Sequence, residues 1–368
     1  MGARLVTAAL VRVWVTLFLG AQVPNVFVLA PHFLGSRGHD EQQIGVVMGA
    51  YGIASLVCMP LVSWATGRWG YARILAGGCA VAAAGALVFD AAGGLPGYAL
   101  GRVLQGAGFS AVLVGGAAYV AETAPLDRLG QALGMAGVLT LTAQAVGPVI
   151  GRIVLETAGW PWVFRTGAIA GALGTLVALG LPPVAARPPA PEDARLGAGG
   201  AIAATALAAV GYGAIWTFLA DYAPRAGVTD PNYFFVAYMA AAVSTRLFLG
   251  RLSDRIGRRQ AAAPALLGHA AILLAMARLG AAWQAVVIGL VFGLCHGVYY
   301  PTVQALIVER SSGGRTKAVA ASSFAFGLGM VVAAYGLGPV ARAAGYPAIY
   351  VVASVAGALA AALVWWKT

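Results

Sequence analysis

Charge is what this sequence has little of. Only 10% of its 368 residues are Asp, Glu, Lys or Arg, against roughly a quarter in an average soluble domain. A soluble protein of this length could not cover its surface with so few charges. Acids are scarcer still, 12 against 23 Lys and Arg. The three cysteines, Cys58, Cys79 and Cys295, lie inside apolar runs, which excludes a disulfide framework or a cysteine metal site. They read as small buried hydrophobes. There is no phosphate-cradling P-loop, no H-E-x-x-H and no cysteine pair, so neither direct ATP drive, a metal nor a cofactor is expected. No catalytic constellation of a soluble enzyme is visible, and the chain is not read as an enzyme. The net charge of +11 raises the question of nucleic acid, but the basic residues gather at the ends of apolar runs. That is the pattern of membrane topology, and no nucleic-acid partner is expected.

What the sequence does have is long apolar runs, with 60% of residues hydrophobic. A bilayer crossing takes about 20 residues. Spans are predicted near 8–31, 43–65, 73–93, 97–121, 130–153 and 163–182, then near 200–222, 232–252, 260–279, 284–308, 317–340 and 346–366. The runs are too long for strands and lack alternation. Residues 183–199 hold prolines, acids and arginines and read as a cytoplasmic linker. The organisation expected is an all-α integral membrane protein, with six-helix bundles at 1–182 and 200–368. The first run follows Arg4 and Arg12 without a clear cleavage site, and is read as a retained helix. Most Arg and Lys fall on one side of this topology, including Arg68, Arg128, Arg255, Arg258, Arg315 and Lys367. Both termini are therefore expected in the cytoplasm, as in a bacterial inner membrane.

The halves repeat. Arg68-Trp-Gly70 aligns with Arg255-Ile-Gly257 at an offset of 187, which also pairs Gly106 with Gly293, Glu122 with Glu309 and Arg128 with Arg315. Gly147-Pro148 and Gly338-Pro339 match at 191. A parallel duplication of this kind places a substrate site near the midplane, with alternating access by rocking.

Gly250-Arg-Leu-Ser-Asp254-Arg255-Ile-Gly257-Arg258-Arg259 matches without a gap the pattern G-x-L-x-D-R-x-G-R-R. Its first-half copy, Ser63 to Arg73, has Gly67 where the aspartate belongs. Arg102-Val-Leu-Gln105-Gly106-Ala-Gly108 fits R-x-x-Q-G-x-G, and Gly147-Pro148-Val-Ile-Gly151 fits a span-five motif whose last glycine is replaced by Arg152. Together these resemble the major facilitator superfamily across the whole chain. The resemblance implies a twelve-helix secondary transporter, with spans one, four, seven and ten lining its cavity. The partial span-five motif is similar to that of drug and metabolite antiporters and tilts the expectation toward export.

The polar residues supply the candidates. Arg102 is a guanidinium inside an apolar run, with Gln105 on its face; it either serves function or snorkels to the outer interface. His296, Tyr299, Tyr300 and Gln304 share one helix face in span ten, and His296 is a midplane group that titrates near neutral pH. It reads either as substrate contact or proton carrier, or as a packed histidine. His269, in span nine, ranks below it. Asn25, Tyr212, Trp216 and Thr217 fall on spans one and seven. No acid sits at the centre of a span, so proton coupling would use Asp90, Asp221 or His296, or be absent. Gating is expected of Asp254, Arg255 and Arg258 with Glu309, of Arg68 and Glu122 in the first half, and of Arg246.

The expected function is export of a small organic compound by alternating access through proton-coupled antiport, in a monomer whose partners are substrate, protons and membrane lipid. Two alternatives stay open: an uptake carrier or facilitator for a small, potentially anionic metabolite, and a membrane sensor that moves nothing.

Overall fold

The computed structural model describes residues 7–125, 129–184, 195–196, 198–248, 256–312 and 315–367. Among them are twelve long helices: α1 Ala8–Ser36, α2 Glu41–Trp69, α3 Tyr71–Ala91, α4 Leu95–Thr123, α5 Leu129–Ala158 and α6 Trp160–Leu179. The second set is α7 Gly199–Arg225, α8 Asn232–Phe248, α9 Arg258–Met276, α10 Ala282–Arg310, α11 Arg315–Ala344 and α12 Tyr346–Lys367. Ten are long and apolar enough to cross a membrane. The other two, α8 and α9, flank residues 249–255, which lie outside the described set. A two-residue antiparallel ladder joins β1, Arg195–Leu196, to β2, Ser311–Ser312, so part of the expected linker pairs with the α10–α11 connection. Exposed Leu, Val and Trp side chains, among them Leu176, Leu179, Trp162, Trp283 and Trp366, suit a lipid-facing surface. This is an integral membrane protein.

The duplication is visible in the backbone. Among the described residues, six glycines have positive φ: Gly38 and Gly227, Gly70 and Gly257, Gly159 and Gly345. They fall in corresponding places of the two halves. Gly70 and Gly257 start α3 and α9 at φ of 79° and 94°, a region that a side chain disfavours. A second correspondence concerns packing. A Cβ on Gly106 would lie 2.2 Å from the Tyr51 carbonyl oxygen and 3.1 Å from the Ala54 Cβ. A Cβ on Gly293 would lie 2.3 Å from the Tyr238 oxygen and 2.8 Å from the Ala241 Cβ. Glycine thus lets α4 press on α2, and α10 on α8, at equivalent points.

The contacts divide the chain into two compact units, Met1–Leu29 with Ala50–Pro189, and Ala30–Gly49 with Ala190–Thr368. In the first, Leu10, Val13, Leu17, Leu75, Val112 and Tyr119 belong to a buried core. In the second, a core rich in alanine includes Ala201, Ala204, Leu266, Val303 and Ala360; small side chains allow the close helix approach that membrane interiors rely on. Pro24 interrupts α1, which tightens into a 3-10 turn at Phe27–Leu29 before resuming. A proline removes a backbone donor and bends a helix. Residues 30–49, beyond that bend, pack with α7 and α11 of the second unit: a Cβ on Gly35 would meet the Asp221 carboxylate, and one on Gly45 the Ala334 oxygen at 2.2 Å.

Candidate functional site

The first unit buries a set of amides around one cation. Arg102 is 4% exposed. It does not snorkel: its Nη1 donates to Gln105 Oε1 at 2.6 Å, one turn along α4. Its guanidinium lies 4.6 Å from the Tyr51 ring centre and 5.8 Å from that of Phe27. No acidic side chain meets it among the described residues, and its Nε makes no hydrogen bond. A tyrosine face contributes about 2 kcal/mol or somewhat more once desolvated, and a bond to a charged group about 1.5–3 kcal/mol. Burying a cation costs several kcal/mol even after relaxation, so this charge is only partly compensated. Gln105 Nε2 and both amide atoms of Gln22 are buried without hydrogen bonds as well.

Two other first-unit candidates have a structural explanation. Asn25 Nδ2 donates to the Ala21 oxygen at 2.7 Å, in the turn that Pro24 opens. Gly147 lets α5 approach this bend: a Cβ there would lie 2.6 Å from Asn25 Cβ and 3.1 Å from Gln22 Oε1. Gly151 continues the surface against Leu29, with Pro148 between. Asp90 is not part of the buried set, being paired with Arg165 at 2.8 Å. Arg68 is exposed at the end of α2, and Glu122 lies beside Tyr71. A cavity of about 420 Å³ lined by Val62, Trp69, Arg73, Gly78 and Gly108 is almost wholly apolar and holds none of the candidates.

The second unit builds a cage of rings. His296 Nδ1 and the Tyr238 hydroxyl are 3.0 Å apart. Tyr212 stacks on Trp216 with ring centres at 4.2 Å, and its centre lies 5.1 Å from that of His296. Tyr300 and Phe326 complete the ring wall at 5.4 and 6.3 Å from the imidazole. Thr217 is buried beside Trp216, and Gln304 is half-buried two turns beyond His296. Tyr299 meets the imidazole edge-on at 5.4 Å and links it to the alanine-rich core, where it faces His269, whose ring also touches Phe292. His269 is wholly buried, with the Ala208 carbonyl as its polar neighbour. Tyr238 is the residue that sequence reasoning missed. The 187-residue offset maps it onto Tyr51, and maps His296 onto Phe109, whose ring centre lies 5.9 Å from that of Tyr51.

A third group sits where residues 30–49 meet α7, α11 and α12. Asp221, 3% exposed, accepts a 2.5 Å hydrogen bond from the Tyr346 hydroxyl and pairs with Arg225 Nη2 at 2.8 Å. Arg225 Nη1 reaches Glu41 at 3.2 Å. Arg342 donates to Gln42 at 3.2 Å and lies 3.5 Å from Asp40. Of the remaining gating candidates, Arg258 Nε donates to Glu309 Oε1 at 2.5 Å. Asp254 and Arg255 lie outside the described residues, as does the side chain of Arg246.

Twelve long helices in two repeated sets, ten of them apolar enough to cross a membrane, with buried polar groups in each unit, define the class: a polytopic membrane protein. Residues 13–229 and 201–368 match the Major Facilitator Superfamily, and the chain belongs to it. It is 29% identical over 147 residues to "Uncharacterized transporter YebQ" of Escherichia coli (strain K12), covering 40% of this chain and 32% of that protein. It is 27% identical over 142 residues to "Multidrug resistance protein B homolog" of Mycobacterium tuberculosis (strain ATCC 25618 / H37Rv), covering 39% of this chain and 26% of that one. The matches thus span between a quarter and a third of those relatives' length. The crystal structure of a D-xylose-proton symporter superposes with a TM-score of 0.77 over 97% of this chain and 96% of that one, at 16% identity, which shows a shared fold.

Proposed function

We propose that this transporter exports a small organic compound in exchange for protons, working as a monomer by alternating access. The membrane is a bacterial inner membrane, with both termini cytoplasmic. The observation that carries the reading is Asp221, a buried carboxylate near one end of α7. Around it stand Tyr222 and Arg225 of α7, Tyr346 of α12, and His32 and Glu41 of the 30–49 segment. Protonating Asp221 removes the charge that Arg225 and Tyr346 satisfy and weakens the hold on 30–49. A proton is thereby linked to a structural transition, as exchange requires. The multidrug-resistance relative and the Gly147-Pro148-Gly151 surface support export.

Arg102, Gln105, His296, Tyr212, Trp216 and Tyr300 are the proposed substrate contacts, with Asn25, Thr217, Tyr299 and Gln304 in support. His296 is the second proton candidate and Asp90, held by Arg165, the third. Arg258 and Glu309, with Asp254, Arg255 and Arg246, form the proposed cytoplasmic lock, and Arg68 and Glu122 its weaker first-half copy. The duplicated bundles 1–182 and 200–368, joined by 183–199, move against each other.

Accumulation of a panel of fluorescent organic compounds in bacteria lacking their main efflux pumps tests this. Cells making the wild type should retain less of at least one compound than cells making Asp221→Asn, and a protonophore should abolish the difference. Greater accumulation with the wild type would indicate uptake and end the export reading.

A further inference from the structure

Within that transport reading, the substrate's charge can be assigned from the first unit alone. We infer that Arg102 and Gln105 form a binding site for a monoanionic group, so that the substrate is a small organic carboxylate with an apolar, ring-bearing body.

α1 and α4 run antiparallel: Gly116 meets Leu17, Gly20 meets Val112, and Arg102 meets Phe27. This puts Gln22 and Asn25 at the level of Gln105 to Phe109. Gln22 is also fixed from the other side by Gly147. Arg102 and Gln105, each at least nine-tenths buried and bonded to one another, keep polar atoms that no protein group satisfies: Arg102 Nε and Gln105 Nε2. Farther along α1, Gln22 keeps both of its amide atoms unbonded as well. Buried polar atoms are normally hydrogen-bonded, and two adjoining orphaned donors point to an occupant.

The donors define that occupant. Arg102 uses Nη1 on Gln105 Oε1, which leaves its Nε edge for the parallel pair of bonds that guanidinium makes to carboxylate. That bond also turns the Gln105 amide so that its nitrogen is the remaining donor. One cation with no acid beside it balances one negative charge; a dianion would leave a net charge in an apolar interior. A cation would face Arg102 directly and is disfavoured. Tyr51 holds the guanidinium on its ring face, and Phe27 and Phe109 lie next to it, an apolar wall for the rest of the molecule. The repeat underlines the specialisation. The counterpart of Arg102 in α10 is Gly289 and that of Gln105 is Phe292, so the repeat does not reproduce this pair in the second half.

The test uses the full-length protein in lipid nanodiscs and calorimetric titration with benzoate, salicylate and indole-3-acetate, each beside its uncharged amide. At least one carboxylate should bind tenfold or more tightly than its amide. Arg102→Gln should lose at least thirtyfold of that affinity, and Gln105→Leu about three- to tenfold. If Arg102→Gln fails to fold, Arg102→Lys keeps the charge without the fork and should still lose about tenfold. The inference is overturned if none of the three carboxylates binds saturably, if acid and amide bind alike, or if the folded Arg102 variants keep wild-type affinity. Proteoliposome flux of an uncharged compound, unchanged in Arg102→Gln, would also overturn it while leaving transport intact. Carboxylate binding without flux of any compound would instead leave this site standing and remove the transport reading.

Discussion

Adding one methyl group at Gly293 should do more damage than its size suggests. The Cβ of Gly293→Ala would stand 2.3 Å from the Tyr238 oxygen, whereas a carbon and a carbonyl oxygen settle at about 3.3 Å or more. The backbones of α8 and α10 must therefore part by about 1 Å at this crossing. Tyr238 and His296, one turn from the contact, start 3.0 Å apart, and the same displacement carries them beyond hydrogen-bond range. Overpacking costs about 1–3 kcal/mol, and loss of the bond adds about 0.5–1.5 kcal/mol. At about 2–4 °C per kcal/mol, melting in detergent, followed by tryptophan fluorescence, should fall by roughly 3–18 °C. Gly336→Ala is the control, since its Cβ meets no atom within 4 Å and alanine favours the helix. Gly106→Ala, 2.2 Å from the Tyr51 oxygen, should resemble Gly293→Ala. If Gly293→Ala melts within a degree or two of Gly336→Ala, the close approach of α8 and α10 is wrong, and the imidazole–tyrosine pair is not held as described.

Other substitutions separate roles that the sequence leaves mixed. His269→Leu should retain most transport activity, because His269 packs in the core, while His296→Phe should reduce flux at least tenfold; equal losses in vesicle assays would contradict the division between them. The Arg258–Glu309 pair is partly exposed, so Arg258→Ala should shift melting little, by no more than about 1 kcal/mol. It should slow transport, with the double exchange Arg258→Glu, Glu309→Arg restoring the rate; failure of the exchange would argue against a lock. Gly257→Ala forces a side chain into φ of 94° and should destabilise by about 1–2 kcal/mol, measured by melting. Tyr346→Phe should raise the reaction rate of a cysteine placed at Gly38 with a water-soluble maleimide, by freeing the 30–49 segment; an unchanged rate would place the hold elsewhere.

The helices were legible because a bilayer demands long apolar runs, and the duplication because Gly70 and Gly257 carry a backbone requirement that no other residue meets as readily. Arg102 and Gln105 stood out as polar groups in apolar surroundings, and so did His296. Their partners did not. Tyr238 carries no motif of its own, and its pairing with His296 depends on the glycine contact of α8 with α10; only the offset from Tyr51 could have indicated it. Gln22 reads in sequence as one more amide near a helix bend, and its lack of hydrogen bonds is a tertiary fact. The grouping of 30–49 with α7 and α11 was also hidden, since ion pairs such as Glu41–Arg225 join residues far apart in the chain. Asp90 and Asp221 looked alike as acids near span ends. Arg165 beside one, and burial with Tyr346 beside the other, distinguish them.

The central claim is proton-linked transport through these groups. Purified protein in liposomes with an imposed pH gradient and a lumenal pH dye tests it most directly, using a compound identified by the binding or accumulation screen. The account predicts substrate-dependent proton movement in the wild type, lost in Asp221→Asn and reduced in His296→Ala. Substrate flux with no proton movement and no response to the gradient would contradict it and make the protein a facilitator.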